Sequence, residues 1–186
     1  LEEVYLIGHS LGGDLGRYLA SQFSQVNKLV LLDGGYLNLD EIMTLDDELV
    51  DTKDYFSQQV FTDIEEVIAS EKSQSSYWSK NLEEAARNSY RYNSKTKEFE
   101  LDLDLEKVLN LLRLRRVIKP YDANLDSKDV LFIVPVYKEE PEWRKEALSQ
   151  LPSNFDITML ENCGHELYTQ KPREIAKIIN DWINKK

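Results

Sequence analysis

The residues best suited to chemistry stand near the start of the chain, in Gly8-His9-Ser10-Leu11-Gly12-Gly13. This segment has the spacing G-x-S-x-G, and it directly follows the apolar run Val4-Tyr5-Leu6-Ile7. A serine on a sharp turn between a strand and a helix projects from the backbone, where a substrate carbonyl can reach its hydroxyl. The pattern therefore predicts Ser10 as a nucleophile.

The residues around Ser10 fit such a turn. Gly8 and Gly12 lack the side chains that would clash in it, and the sequence predicts a helix from Leu11 to Phe23. The amino end of a helix carries free N–H groups and a positive dipole end, which favour a developing negative charge. We therefore expect the Leu11 amide to donate to an oxyanion. The alternative is a glycine-rich turn with an ordinary serine.

A serine hydroxyl needs a neighbouring base, and the chain has two histidines. His9 precedes Ser10 on an extended segment, so we expect its side chain on the opposite face, as a packing residue. His165 lies on a loop just after a predicted strand, a good position for a base. An exposed loop histidine is the alternative, but the order of serine and then histidine favours His165.

Three segments together resemble the C-terminal half of an α/β-hydrolase: Gly8–Gly13, Leu29–Asp33, and Cys163–His165 with a terminal amphipathic helix. The resemblance implies a partial α/β fold, with a parallel sheet of about four strands, flanking helices and the family's N-terminal strands absent. It also implies an esterase-like or lipase-like serine hydrolase that cleaves an ester, thioester or amide through an acyl-enzyme. The alternative is an inactive fragment or degenerate member that acts as a binding or structural module.

The resemblance further implies a carboxylate that fixes the tautomer of the histidine, and two positions compete for this role. The family usually places its acid after the strand that precedes the histidine strand, where Glu139 is the nearest candidate. Some members place it after the strand that follows the nucleophile helix, where Asp33 ends the run Lys28–Asp33. We place Asp33 first and keep Glu139 as the alternative.

Strand and helix patterns divide the chain into a core and an insertion. Apolar runs, some typical of strands covered on both faces, predict strands at Glu3–Ile7, Lys28–Leu32, Asp129–Val134 and Phe155–Leu160. We therefore assign residues 1–35 and 127–186 to the hydrolase core. Residues 36–126 are mostly helix-like and polar, and they resemble the helical cap of many α/β-hydrolases. A helical insertion that only stabilises the sheet is the alternative. We interpret Arg113, Arg115 and Arg116 as a solvated helix face.

The family's sheet has about eight strands, and the resemblance places the strand Glu3–Ile7 near its middle, beside a strand that this chain lacks. The loop that carries the family's second oxyanion donor also has no counterpart here. An apolar strand with an unpaired edge readily pairs with another chain. We therefore expect a homodimer through this edge, or a complementary N-terminal segment that was removed.

Net charge and cysteine content limit the class of partner and the cellular compartment that we expect. The formal net charge of −11 argues against a nucleic-acid or anionic-membrane partner. The partner that the resemblance implies is a small ester or amide substrate. The single cysteine, Cys163, fits a reducing compartment. Because no membrane-length apolar run or signal peptide is visible, we expect a cytoplasmic protein. Metal-ligand spacings, P-loops and dinucleotide fingerprints are absent, so we expect no cofactor and no metal.

Overall fold

Residues 3–75 and 77–185 are described by a computed structural model. Seven strands and nine α-helices occur in these residues, in the following chain order: β1 (Val4–His9), α1 (Leu11–Gln22), β2 (Val26–Leu32), α2 (Leu39–Ile42), α3 (Leu45–Gln58), β3 (Val60–Phe61), α4 (Ile64–Gln74), α5 (Lys80–Asn88), β4 (Tyr90–Asn93), β5 (Glu98–Leu101), α6 (Leu105–Ile118), β6 (Asp129–Pro135), α7 (Glu142–Ser149), β7 (Phe155–Leu160), α8 (Leu167–Gln170) and α9 (Pro172–Ile183). A 3-10 turn, Pro120–Asp122, lies between α6 and β6.

The chain folds into two compact units, Leu1–Ile42 with Arg115–Lys186, and Met43–Leu114. The first unit contains a four-stranded parallel sheet in the order β1-β2-β6-β7. Each connection between neighbouring strands contains helix, as parallel pairing requires. This is the predicted α/β fold, and all four predicted strands are present.

The two faces of the sheet are covered by different helices. Leu29, Leu31 and Phe132 point to one face, where they form a buried cluster with Ala20 of α1 and pack against Ala147 of α7. The residues between them point the other way, because side chains alternate along a strand. On that second face Val30, Leu131 and Ile133 pack with Ile175 and Trp182 of α9. Burial on both faces explains why these strands read as continuous apolar runs.

The second unit combines helices with a small antiparallel sheet in the order β3-β5-β4. Its core includes Leu49 of α3 with Leu109 and Leu112 of α6. Side-chain caps start three of its helices, at Thr44, Asp63 and Ser79, as expected for short polar residues at this position. The mostly helical pattern of residues 36–126 did not predict this sheet, because its strands are only two to four residues long.

The compact units divide at residues 42 and 114, whereas the sequence suggested boundaries at 35 and 126. Residues 115–126 belong to the first unit because they bind helix α1. Arg115 forms an ion pair of 3.1 Å with Asp14, and Arg17 donates to the carbonyl oxygens of Tyr121 and Ala123. The interpretation of Arg115 and Arg116 as solvated residues is wrong, since their side chains are only 13% and 8% exposed and each forms an ion pair, Arg116 with Asp40. The cap role of the insertion stays a prediction.

Strand β1 lies at one end of the parallel sheet as the structure describes it, with β2 on its only paired side. Its side chains Tyr5 and Ile7 are 42% and 56% exposed. A partner for this edge, whether a second copy or an N-terminal segment, stays a prediction. None of the described helices reaches the length and apolarity that a membrane crossing requires.

Glycines allow the turns after β1 and β2 to touch. A Cβ placed on Gly34 would lie 2.2 Å from the backbone oxygen of Ser10, and one on Gly8 would lie 2.2 Å from that of Gly12. Both distances are far below van der Waals contact, so these glycines are required by close packing of backbone on backbone. The same test finds no atom within 4 Å of a Cβ on Gly12, so the expectation that a side chain would clash there is wrong, while that for Gly8 is confirmed.

Gly34→Ala should therefore lower the free energy of unfolding by about 3 kcal/mol, the upper end of the usual cost of overpacking. Gly12→Ala is the matched control, and it should stabilise the protein by up to about 1 kcal/mol through helix propensity. Urea unfolding followed by circular dichroism measures both. Equal stabilities of the two variants would contradict the packing assignment.

Candidate active site

Ser10 occupies a strained turn between β1 and α1. Its backbone angles, φ 51° and ψ −123°, are rare for a residue with a side chain, and such a conformation costs on the order of 1–3 kcal/mol. Backbone hydrogen bonds hold the turn on both sides. The Ser10 amide donates to Leu32 over 3.1 Å, and the Ser10 carbonyl accepts from Gly13 over 2.8 Å. The serine side chain is thereby fixed at the carboxyl end of β1.

The Leu11 amide begins helix α1 and has no acceptor within residues 3–75 and 77–185. At the next residue, a Cβ placed on Gly12 would meet no atom within 4 Å outside its chain neighbours and its own helix backbone. A free N–H group at the amino end of a helix can donate a hydrogen bond to a negatively charged oxygen. The geometry therefore suits the donor role that the sequence predicts for Leu11.

Asp33 lies at the carboxyl end of β2 and contacts His165. Its Oδ2 atom is 2.9 Å from the Nδ1 atom of His165. Because a carboxylate accepts, Nδ1 carries the proton and donates, which leaves the Nε2 atom of the neutral ring unprotonated. Like Ser10, Asp33 has a left-handed backbone, with φ 42°. The adjacent Gly34 contacts the Ser10 backbone, so the nucleophile candidate and the acid candidate stand on touching turns.

A buried arginine, Arg144 of α7, holds the other oxygen of Asp33. Its Nη2 atom donates to Asp33 Oδ1 over 3.2 Å and to the Pro135 carbonyl over 3.0 Å. Its Nε atom donates to the Tyr36 hydroxyl over 2.9 Å, and that hydroxyl donates to Asp33 Oδ1 over 3.2 Å. Arg144 also forms an ion pair with Glu140. Asp33 is thus held from one side by Arg144 and Tyr36 and from the other by His165.

These contacts shift the pKa values of the pair in opposite directions. Burial raises the pKa of Asp33, but the His165 hydrogen bond and the charge of Arg144 outweigh it, and the net pKa lies below the ordinary value. The hydrogen bond to Asp33 raises the pKa of His165, although burial opposes it. Asp33 therefore stays ionised at neutral pH, and it stabilises a positive charge on His165.

His9 is a packing residue, as the sequence suggests, and its ring lies beside that of His165. The ring centroids are 4.6 Å apart, and His9 also packs edge-on against Tyr168. Its Nε2 atom donates to the backbone carbonyl of His165 over 2.9 Å. The alternation of side chains along a strand predicts the face on which His9 lies. It does not predict that the loop with His165 packs against that residue.

The structure brings together some of the predicted residues. Asp33 contacts the His165 ring, while Glu139 is exposed and has no hydrogen-bond or ion-pair partner among the described residues. The Ser10 hydroxyl forms no hydrogen bond within the described residues. Ser10 is linked to His165 only indirectly: the preceding residue, His9, packs on the His165 ring, and Gly34, next to Asp33, touches the Ser10 backbone. Sequence reasoning missed Arg144, because an arginine on a polar helix carries no signal of burial.

Comparison with known proteins identifies the family. A sequence model described as the alpha/beta hydrolase fold matches residues 1–96. The chain belongs to the α/β-hydrolase family. We found no curated protein whose sequence matches this hydrolase.

Solved structures show the same fold. An E-2-(acetamidomethylene)succinate hydrolase matches with a TM-score of 0.75 and 19% identity, over 99% of this chain and 68% of that one. A thioesterase domain from the curacin biosynthetic pathway matches with a TM-score of 0.69 and 18% identity, over 96% and 66%. An esterase of M. tuberculosis matches with a TM-score of 0.62 and 15% identity, over 96% and 62%. The chain thus spans about two thirds of each of these structures.

The His165 ring should titrate above the ordinary histidine pKa of about 6.5, and Asp33→Asn should lower its pKa. Because folding raises this pKa, the stabilisation that Asp33 gives is complete below about pH 6.5 and is lost as the pH rises through the folded-state value. Proton NMR of the ring, assigned with a His9→Gln variant, measures the shift. Glu139→Gln is the control and should leave the titration unchanged. A shift in Glu139→Gln with none in Asp33→Asn would reverse the assignment of the acid.

Arg144→Met should lower the free energy of unfolding by about 3–5 kcal/mol, because it leaves the buried Asp33 charge without its cationic partner. Arg173→Met, the same change at an exposed arginine at the start of α9, should stay within about 0.5 kcal/mol of wild type. Thermal and urea unfolding measure both variants. A loss below about 1 kcal/mol for Arg144→Met would show that the ion pair is not structurally important.

Proposed function

We propose that this α/β-hydrolase is a serine hydrolase that cleaves an ester, thioester or amide through an acyl-enzyme. The observation that carries the proposal is the pairing of Asp33 with His165 Nδ1 beside the strained turn of Ser10. An ordinary glycine-rich turn gives no reason for a buried carboxylate to orient an imidazole on the adjacent loop. This placement of a carboxylate, an imidazole and a serine is the one that a catalytic triad requires, in which the carboxylate orients the base and the base activates the nucleophile.

The reaction follows from the roles of the three side chains. Ser10 Oγ attacks the substrate carbonyl carbon while His165 Nε2 takes the hydroxyl proton. The Leu11 amide donates to the oxyanion of the tetrahedral intermediate. When that intermediate collapses, the bond to the leaving group breaks and His165 gives the leaving group its proton. Water then attacks the acyl-serine with His165 again as base, which releases the acid and restores Ser10.

Asp33 acts on His165 and not on the substrate. Its Oδ2 atom fixes the tautomer that leaves Nε2 free, and its negative charge stabilises the imidazolium that forms during the reaction. Arg144 and Tyr36 are positioning residues, because they hold the opposite oxygen of Asp33. Two restraints on one carboxylate set the direction in which the imidazole points.

The named relatives favour hydrolysis without selecting a substrate. They are a succinate-derivative hydrolase, a thioesterase domain and an esterase, so we extend the proposal to the bonds of all three classes. We also propose a reducing, cytoplasmic location, since Cys163 is the only cysteine and cannot form an internal disulfide.

An inactive binding or structural module is the second candidate. It is favoured by the edge strand β1, which among the described residues pairs only with β2 and can offer its other side to a binding partner.

A fluorophosphonate probe separates the two candidates, because it labels an activated serine without requiring turnover. The wild-type chain should be labelled, and Ser10→Ala should lose the label. Ser24→Ala is the matched control, since Ser24 is an exposed turn serine, and it should label like wild type. His165→Ala should reduce the rate of labelling by at least about 100-fold.

Two results would overturn the serine-hydrolase proposal. One is a folded wild-type chain that the probe does not label. The other is a label that persists in Ser10→Ala, which would assign the reactive group to another residue. Mass spectrometry of the labelled peptide locates the modified side chain in either case.

A further inference from the structure

The two histidines and Glu166 form a cluster beside the proposed active site. Each of His9, His165 and Glu166 offers one ligand atom, and these atoms lie within 4.8 Å of one another. Two imidazole nitrogens and one carboxylate oxygen form a common ligand set for Zn²⁺, which binds His and Glu at about 2.0–2.2 Å. The spacing of the sequence did not predict this set, because 156 residues separate His9 from His165.

The hydrogen bonds of the two histidines determine which nitrogen of each ring is unprotonated and can bind a metal. His165 Nδ1 faces the Asp33 carboxylate and His9 Nε2 faces a carbonyl oxygen, so each of these nitrogens carries a proton and donates. The lone pairs that remain on the neutral rings are those of His165 Nε2 and His9 Nδ1. Histidines that bind zinc almost always donate their other ring N–H to a carboxylate or a backbone carbonyl. Both kinds of acceptor are present here, one for each ring.

The third ligand can adapt to a metal. In a tetrahedral zinc site the ligand atoms are about 3.4 Å apart, given metal–ligand bonds of about 2.0–2.2 Å. The separations here, up to 4.8 Å, must therefore shorten. Glu166 is exposed, so rotation of its side chain can bring its carboxylate closer to the two imidazoles. Three protein ligands leave the fourth position of zinc open to solvent.

We propose that His9, His165 and Glu166 form an inhibitory binding site for Zn²⁺. Binding occupies the Nε2 lone pair of His165, which is the atom that takes the Ser10 proton, so the bound metal removes the general base. The ligand set alone supports zinc binding, whereas inhibition rests on the proposed function.

Isothermal titration calorimetry of the tag-free chain with zinc chloride tests the binding. One Zn²⁺ should bind per chain. Glu166→Gln should weaken binding by about tenfold or more, since even the loss of an indirect partner of a zinc ligand costs 10–100-fold. Glu161→Gln is the matched control, because Glu161 is an exposed acid of the same loop, and it should bind like wild type. Absence of one-to-one binding, or equal affinities of Glu166→Gln and Glu161→Gln, would overturn the site.

The rate of fluorophosphonate labelling, with zinc or with EDTA, tests the inhibition. Saturating zinc should slow labelling of wild type by about tenfold or more, and Glu166→Gln should need a correspondingly higher zinc concentration. Zinc that binds without slowing the label would overturn inhibition. A wild-type chain that does not label with EDTA would overturn both the inhibition and the proposed function, while the calorimetry would still decide the zinc site.

Discussion

Two turns of backbone lie in direct contact at the carboxyl edge of the parallel sheet, and the rest of the site depends on that contact. One turn carries Ser10 after β1, and the other carries Asp33 and Gly34 after β2. Parallel pairing brings the two strand ends side by side, but only the missing side chain of Gly34 lets the backbones approach so closely. Ser10 and Asp33, the residues on either side of this contact, both have a positive φ. The nucleophile candidate and the acid candidate are placed by adjacent strands, and only His165 comes from a distant loop.

The two oxygens of the Asp33 carboxylate have different partners. One oxygen accepts hydrogen bonds from the buried Arg144 and from Tyr36, and the other accepts one from the half-exposed His165 ring. A carboxylate as buried as this one is costly to ionise alone, and Arg144 offsets that cost. The arginine also competes with the imidazole for the negative charge. A buried cation behind the acid thus keeps Asp33 ionised while moderating how strongly it raises the pKa of His165.

The sequence was informative where a residue's role is local. The G-x-S-x-G spacing, the apolar strands and the proline at the start of α9 each depend on their own neighbours, and the corresponding elements are present. It was less informative where the role depends on distant contacts. Arg144, Arg115 and the ring of His9 look like surface or packing residues in isolation. Only the tertiary fold buries Arg144, covers most of the Arg115 side chain and brings His9 to His165. The short strands of the second unit could not be predicted from the sequence, because two to four residues are too few to show an alternating pattern.

The position of the second unit in the chain has a consequence for folding. Strands β2 and β6 are neighbours in the sheet, yet residues 43–114 lie between them in the sequence. Closing such a long loop costs little stability, because each doubling of loop length adds only about 0.6 kcal/mol. It costs time instead, since pairings between distant residues slow folding. The insertion, with its own core and local hairpin, shortens the disordered chain once it has collapsed. The pairing of β6 onto β2, and the burial of Asp33 by Arg144, are therefore contacts that join parts of the chain on either side of the insertion.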